Sequence, residues 1–80
     1  MYPSLKANRM LRVLTSEPLA YHVTRRRGSH RVLESTRGYP KLVFSFHERV
    51  TLAPGVVRKI LVGDVGLTED EALRLVGAKR

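Results

Sequence analysis

Residues 25–30 read Arg-Arg-Arg-Gly-Ser-His, which sets three guanidinium groups beside one imidazole, and Arg31 follows at once. This combination suits a phosphodiester. Arg offsets phosphate charge through paired hydrogen bonds, and an imidazole titrates near neutrality, so it can take or give a proton there. RNA brings its own nucleophile, the 2′-hydroxyl, so a single positioned proton-transfer group can suffice. Gly28 allows a tight turn and close approach of backbone to ligand, and Ser29 has a hydroxyl that can donate to a phosphate oxygen. His30 is therefore the candidate catalytic residue. Arg25, Arg26, Arg27, Gly28, Ser29 and Arg31 are the candidate phosphate contacts. Taken alone, the string is short enough to arise by chance.

The overall charge points the same way. The 80 residues carry 15 Lys and Arg against seven Asp and Glu, a formal charge of +8. Eleven of the 15 are Arg, and the acids Asp64, Glu69, Asp70 and Glu71 gather near the C-terminus. Residues 1–63 hold a balance of +9, which reads as a polyanion-binding body. Cys is absent, which removes disulfides, thiolate catalysis and any Cys-based zinc site. With three scattered His and few acids, a carboxylate-rich metal centre is not expected, and neither is a cofactor. No run approaches a membrane span and the first residues lack a signal peptide's apolar stretch, so a cytoplasmic protein without a membrane partner is expected.

Eighty residues make one domain, 1–80. Ser4 is placed to cap a helix in which Ala7, Met10, Leu11 and Leu14 follow at helical spacing, with Lys6, Arg9 and Arg12 exposed. Pro18 should end it near Thr15–Glu17. The period then changes to two: Leu19, Tyr21 and Val23 alternate with Ala20, His22 and Thr24 in a strand running into the Arg triplet. Gly28-Ser29 makes a turn, His30 to Thr36 a second strand, and Leu42 to His47 a third with Leu42, Phe44 and Phe46 on one face. His47 to Ala53 reads as a loop. Pro54 opens a second helix carrying Val57, Ile60 and Leu61. Thr68-Glu69-Asp70-Glu71 is a capping box, with Leu67 and Ala72 as its staple, for a short last helix burying Leu73 and Val76.

The expected class is α+β, in the order α-β-β-β-α, with a three-stranded antiparallel sheet, helices on one face and a short extra C-terminal helix. The other sheet face is left in water. If Leu33 points to the core, period two sends His30, Val32 and Glu34 to solvent, opposite Arg31, Leu33 and Ser35. His22 is expected to face solvent, and Tyr21 and Tyr39 to pack in the core or a turn. Glu69, Asp70 and Glu71 belong to the helix start rather than to catalysis.

Across nearly its whole length the chain resembles the HicA family of toxins, the mRNA interferases of toxin–antitoxin pairs. The resemblance rests on Arg25-Arg26-Arg27-Gly28-Ser29-His30, on Val43-Phe44-Ser45-Phe46-His47 and on Gly55-Val56-Val57-Arg58-Lys59-Ile60-Leu61, followed by Asp64-Val65-Gly66-Leu67-Thr68. Val56 and Val57 stand where the family usually has Thr and Leu. The resemblance implies a double-stranded-RNA-binding-domain-like fold and a metal-independent endoribonuclease that cuts mRNA with His30. It also implies silencing by a HicB-like antitoxin that covers the active site. It places the family's second common His at His47, as a further proton-transfer or phosphate contact or a structural hydrogen bond. Arg58 and Lys59 become a second phosphate-binding surface. A homodimer and a toxin–antitoxin hetero-oligomer both remain open, as does a module of this fold that binds RNA without cutting it.

Overall fold

The structure, a computed structural model, describes residues 1–77; the last three residues of the expected 1–80 domain lie outside it. The elements are β1 (Leu5–Lys6), α1 (Ala7–Thr15), β2 (Tyr21–Arg27), β3 (His30–Ser35), β4 (Leu42–Phe44) and β5 (Thr51–Leu52). α2 (Pro54–Arg58) continues directly as a π-helical segment, Lys59–Asp64, and α3 (Glu69–Leu75) ends the described chain. The fold is α+β. β2, β3 and β4 form an antiparallel sheet in chain order, the α-β-β-β-α arrangement of double-stranded-RNA-binding folds, and β1 and β5 add a short antiparallel ribbon.

One face of the sheet supplies Tyr21, Leu33, Leu42 and Phe44 to the core. Against it pack Met10 and Leu14 of α1, Val57, Ile60 and Leu61 from the second helical segment, and Ala72 of α3. The spacing of Ala7, Met10 and Leu14 gives α1 its buried stripe, with Arg9 and Arg12 left outside. Pro54 occupies the first turn of α2, where its missing N–H is not needed. The capping box forms as spelled: Glu71 N–H donates to Thr68 Oγ1 at 3.1 Å and Thr68 N–H to Glu71 Oε1 at 2.9 Å.

Several expectations are corrected. Ser4 does not cap α1, because Leu5 and Lys6 pair with Leu52 and Thr51 instead. The helix begins at Ala7 with no side-chain cap. Its first N–H groups go to the loop before β5, Ala7 donating to Val50 O at 2.8 Å and Asn8 to Glu48 O at 3.1 Å. The segment 47–53 is thus not a plain loop. β2 starts at Tyr21 rather than Leu19, since Ala20 takes a left-handed φ of 53° that no continuous strand accepts. β4 ends at Phe44. Phe46 leaves the sheet but stays on its apolar side, edge-on to Phe44 with ring centroids 5.2 Å apart. Leu73 and Val76 are half-buried, and Ala72 is the fully buried residue of α3.

Candidate functional site

The β2–β3 hairpin closes at Gly28-Ser29, with Arg27 directly opposite His30. Gly28 has a φ of +61°, as the first central position of a type II′ two-residue turn requires. A Cβ there would meet no atom within 4 Å, so the demand is on the backbone and not on space. Further along, Val23 pairs with Leu33 but Arg25 with Val32, so Thr24 is an extra residue in a β-bulge.

That bulge decides which arginines stand beside the imidazole. Strict alternation from Tyr21 would send Val23, Arg25 and Arg27 to the core side. The inserted Thr24 resets the phase, and Arg25 and Arg27 share the open face with Val32 and His30. Thr24 Oγ1 donates to Glu34 Oε2 and to Val32 O, each at 3.4 Å, which ties the bulge to the neighbouring strand. His30 is exposed, as its phase relative to the buried Leu33 requires. Residues directly opposite across an antiparallel pair have Cβ atoms about 5 Å apart and diagonal neighbours about 7–8 Å. Arg27 and Arg25 hold those two positions relative to His30, within reach of an anion bound at the ring.

Arg26 and Arg31 face the other way, as an opposed pair on the core side of the sheet. Arg31 does not join His30. It is 4% exposed, donating from Nη2 to Glu48 Oε2 at 3.1 Å and from Nη1 to Phe46 O at 3.4 Å. With Arg26, Gly28, Ser29, His47, Glu48 and Arg49 it lines a cleft of about 490 Å³. His47 therefore sits with Arg31, whereas His30 does not line this cleft. Glu48 and Arg49 carried no sequence signal, since they enter the site only because the chain folds back to reach α1.

Arg58 and Lys59 are held by internal partners. Arg58 Nε donates to Glu69 Oε2 at 2.9 Å, Tyr2 Oη donates to Glu69 Oε1 at 2.7 Å, and Lys59 Nζ reaches Asp64 Oδ2 at 3.5 Å. The Arg58 hydrogen bond, and then that of Tyr2, hold the Glu69 carboxyl below its usual range. Among the described residues the ion pairs are Arg31–Glu48, Arg37–Glu17, Arg58–Glu69 and Lys59–Asp64, and none of them occupies Arg25, Arg26 or Arg27. Among the described residues no three His, Asp or Glu side chains come together as a metal-holding group, and no helix is long and apolar enough to cross a membrane.

Compared with known proteins, the chain matches no family model, no curated protein and no solved structure.

Proposed function

We propose that the protein is a metal-independent endoribonuclease of the HicA-like toxin kind, cutting mRNA at the open face of the β2–β3 hairpin. One observation carries the reading: His30 is exposed and directly opposite Arg27, with Arg25 diagonal to it, on the sheet face the helices leave uncovered. Neither arginine is taken by an ion pair among the described residues, so both are free to offset a phosphate.

In the proposed reaction His30 withdraws the 2′-hydroxyl proton as that oxygen attacks the adjacent phosphorus. The 2′-oxygen–phosphorus bond forms, the bond to the 5′-oxygen breaks, and the leaving oxygen takes a proton back from the imidazolium. The products are a 2′,3′-cyclic phosphate and a free 5′-hydroxyl. Arg27 and Arg25 stabilise the charge that builds on the phosphoryl oxygens. An acidic antitoxin of the HicB kind would cover this face by charge complementarity and mask His30.

Incubation with single-stranded RNA in EDTA tests the reading. Expected are cleavage in the wild type, cyclic-phosphate ends, and loss of cleavage in His30→Ala. RNA binding without cleavage, unchanged by His30→Ala, would leave a binding module of the same fold.

A further inference from the structure

We infer that the cleft between the hairpin and the 47–49 loop is a second phosphate site, holding a neighbouring phosphodiester of the RNA strand whose cleavage is assigned to the open face. The inference rests on the RNA reading but uses a different set of residues, on the opposite side of the same hairpin. Arg26, Arg31 and Arg49 bring three guanidinium groups against the single carboxylate of Glu48. His47 and the half-buried Ser29 add further groups able to donate to an anion.

Arg31 marks this as a built site. Its side chain is 5% exposed, a rare state for a cation unless it is paired. Its partner is a carboxylate 58% exposed, at the rim of the cleft. Two of the five guanidinium N–H donors are engaged among the described residues, one of them over a long 3.4 Å contact. The carboxylate of Glu48 thus occupies the position an incoming phosphate would take, and phosphate displaces it from Nη2.

The strand phase suits a chain of linked charges, as in a nucleic acid, better than a single ion. Successive residues Arg25, Arg26 and Arg27 point alternately to the open face, the cleft and the open face. A ligand that carries one charge per unit along a flexible chain can pass over the narrow Gly28-Ser29 tip and engage both sides. Gly28 presents no side chain to obstruct that passage. Lys6 of β1 donates from Nζ to the Arg49 carbonyl at 3.3 Å, which brings another cation beside Arg49.

Binding of a fully 2′-O-methylated single-stranded oligoribonucleotide, which lacks the attacking hydroxyl, separates this site from the chemistry. Fluorescence anisotropy is read across a salt series for Arg26→Ala, Arg49→Ala, Glu48→Gln, and Arg74→Ala on α3 as the general-charge reference. Arg26→Ala and Arg49→Ala should each weaken binding about tenfold and reduce the salt slope by about one. Glu48→Gln should tighten it, and Arg74→Ala should do far less than either cleft variant. Cleft variants indistinguishable from Arg74→Ala overturn the inference, even where unmodified RNA is still cut in a His30-dependent manner. Loss of binding in the cleft variants of a protein that cuts nothing keeps the cleft and removes the nuclease. A polyglutamate peptide that binds more tightly than the oligonucleotide, through the same arginines, assigns the cleft to an acidic protein and overturns the inference.

Discussion

The two sides of the hairpin end are built from neighbouring residues, yet Arg25 and Arg27 on one side and Arg31 on the other are held in opposite ways. On the open side Arg25 and Arg27 are exposed and lie outside every ion pair among the described residues. On the cleft side Arg31 is buried beneath the sheet end and tied to Glu48 and the Phe46 carbonyl. An exposed guanidinium stays hydrated and adds little to stability, so it is available to a ligand. A buried one loses its hydration and must be bonded, so it becomes part of the fold. The chemistry at His30 and the stability held by Arg31 should therefore separate between the two sides, while the exposed Arg26 and Arg49 of the cleft stay available to a second phosphate.

The largest effect expected is on the open side. His30→Ala should lower RNA cleavage by about 10²–10⁴-fold, the usual contribution of one proton-transfer group. As a surface substitution it should shift unfolding free energy by less than about 0.5 kcal/mol. Cleavage assays paired with urea unfolding give both numbers. A large loss of stability in this variant would mean that the ring packs against something and is not waiting for substrate.

The bulge tests how the two sides are kept apart. Deleting Thr24 alone closes the bulge and keeps every pairing, Val23 with Leu33 and Arg25 with Val32, so Tyr21 stays in the core and Arg25 and Arg27 stay beside His30. Deleting Val23 and Thr24 together shifts the phase by one between the Gly28-Ser29 tip and Tyr21, which is 2% exposed. Both constraints then cannot hold. Either Tyr21 leaves the core, at about 3 kcal/mol for a large aromatic, or Arg25 and Arg27 turn away from His30. Thermal unfolding together with the cleavage rate should find one of these losses in the double deletion and neither in the single one. A double deletion of full stability and full activity would show that strand phase positions nothing.

Arg31→Ala comes next and should invert the pattern of His30→Ala. Losing the buried guanidinium removes its two hydrogen bonds and its packing, worth roughly 1–3 kcal/mol. Glu48 is not stranded, since its side chain is already 58% exposed. Cleavage per folded molecule should fall far less than in His30→Ala. Denaturant midpoints with activity corrected for the folded fraction check this.

This contrast also marks what the sequence made legible. The phase of His30 could be read because Leu33, three positions on, is large and apolar and had to be inside. The capping box at Thr68 and the Pro54 start were legible for a similar reason, since both are written within one turn of chain. The Thr24 bulge was not. Nothing local distinguishes Val23-Thr24-Arg25 from a regular strand; the bulge reconciles a turn at one end with a core residue at the other. The neighbours of Arg31 in sequence point it toward phosphate but say nothing of its burial, which depends on Glu48, 17 residues away. The β1–β5 ribbon depends in the same way on residues 5–6 and 51–52, each too short to signal a strand alone.

The smallest expected effect lies on the core side of the bulge, at Tyr21, and appears with pH. Burial raises the Tyr21 phenol above the usual value near 10, and its hydroxyl donates to Pro40 O at 2.6 Å. A group whose pKa is raised on folding contributes stability that is whole below the unfolded value, here near pH 10. That contribution is lost as pH climbs through the higher folded value, because the unfolded chain ionises first. Tyr21→Phe removes both the hydrogen bond and the titration. At neutral pH it should cost about 1 kcal/mol. Above pH 10 the wild-type curve should fall toward that of the variant, so the gap between them closes. His30 lies beyond the bulge on the opposite face, so Tyr21→Phe should leave the cleavage rate of the folded protein unchanged at pH 7. A cleavage loss approaching that of His30→Ala would mean that the core side and the open side of this hairpin are not independent.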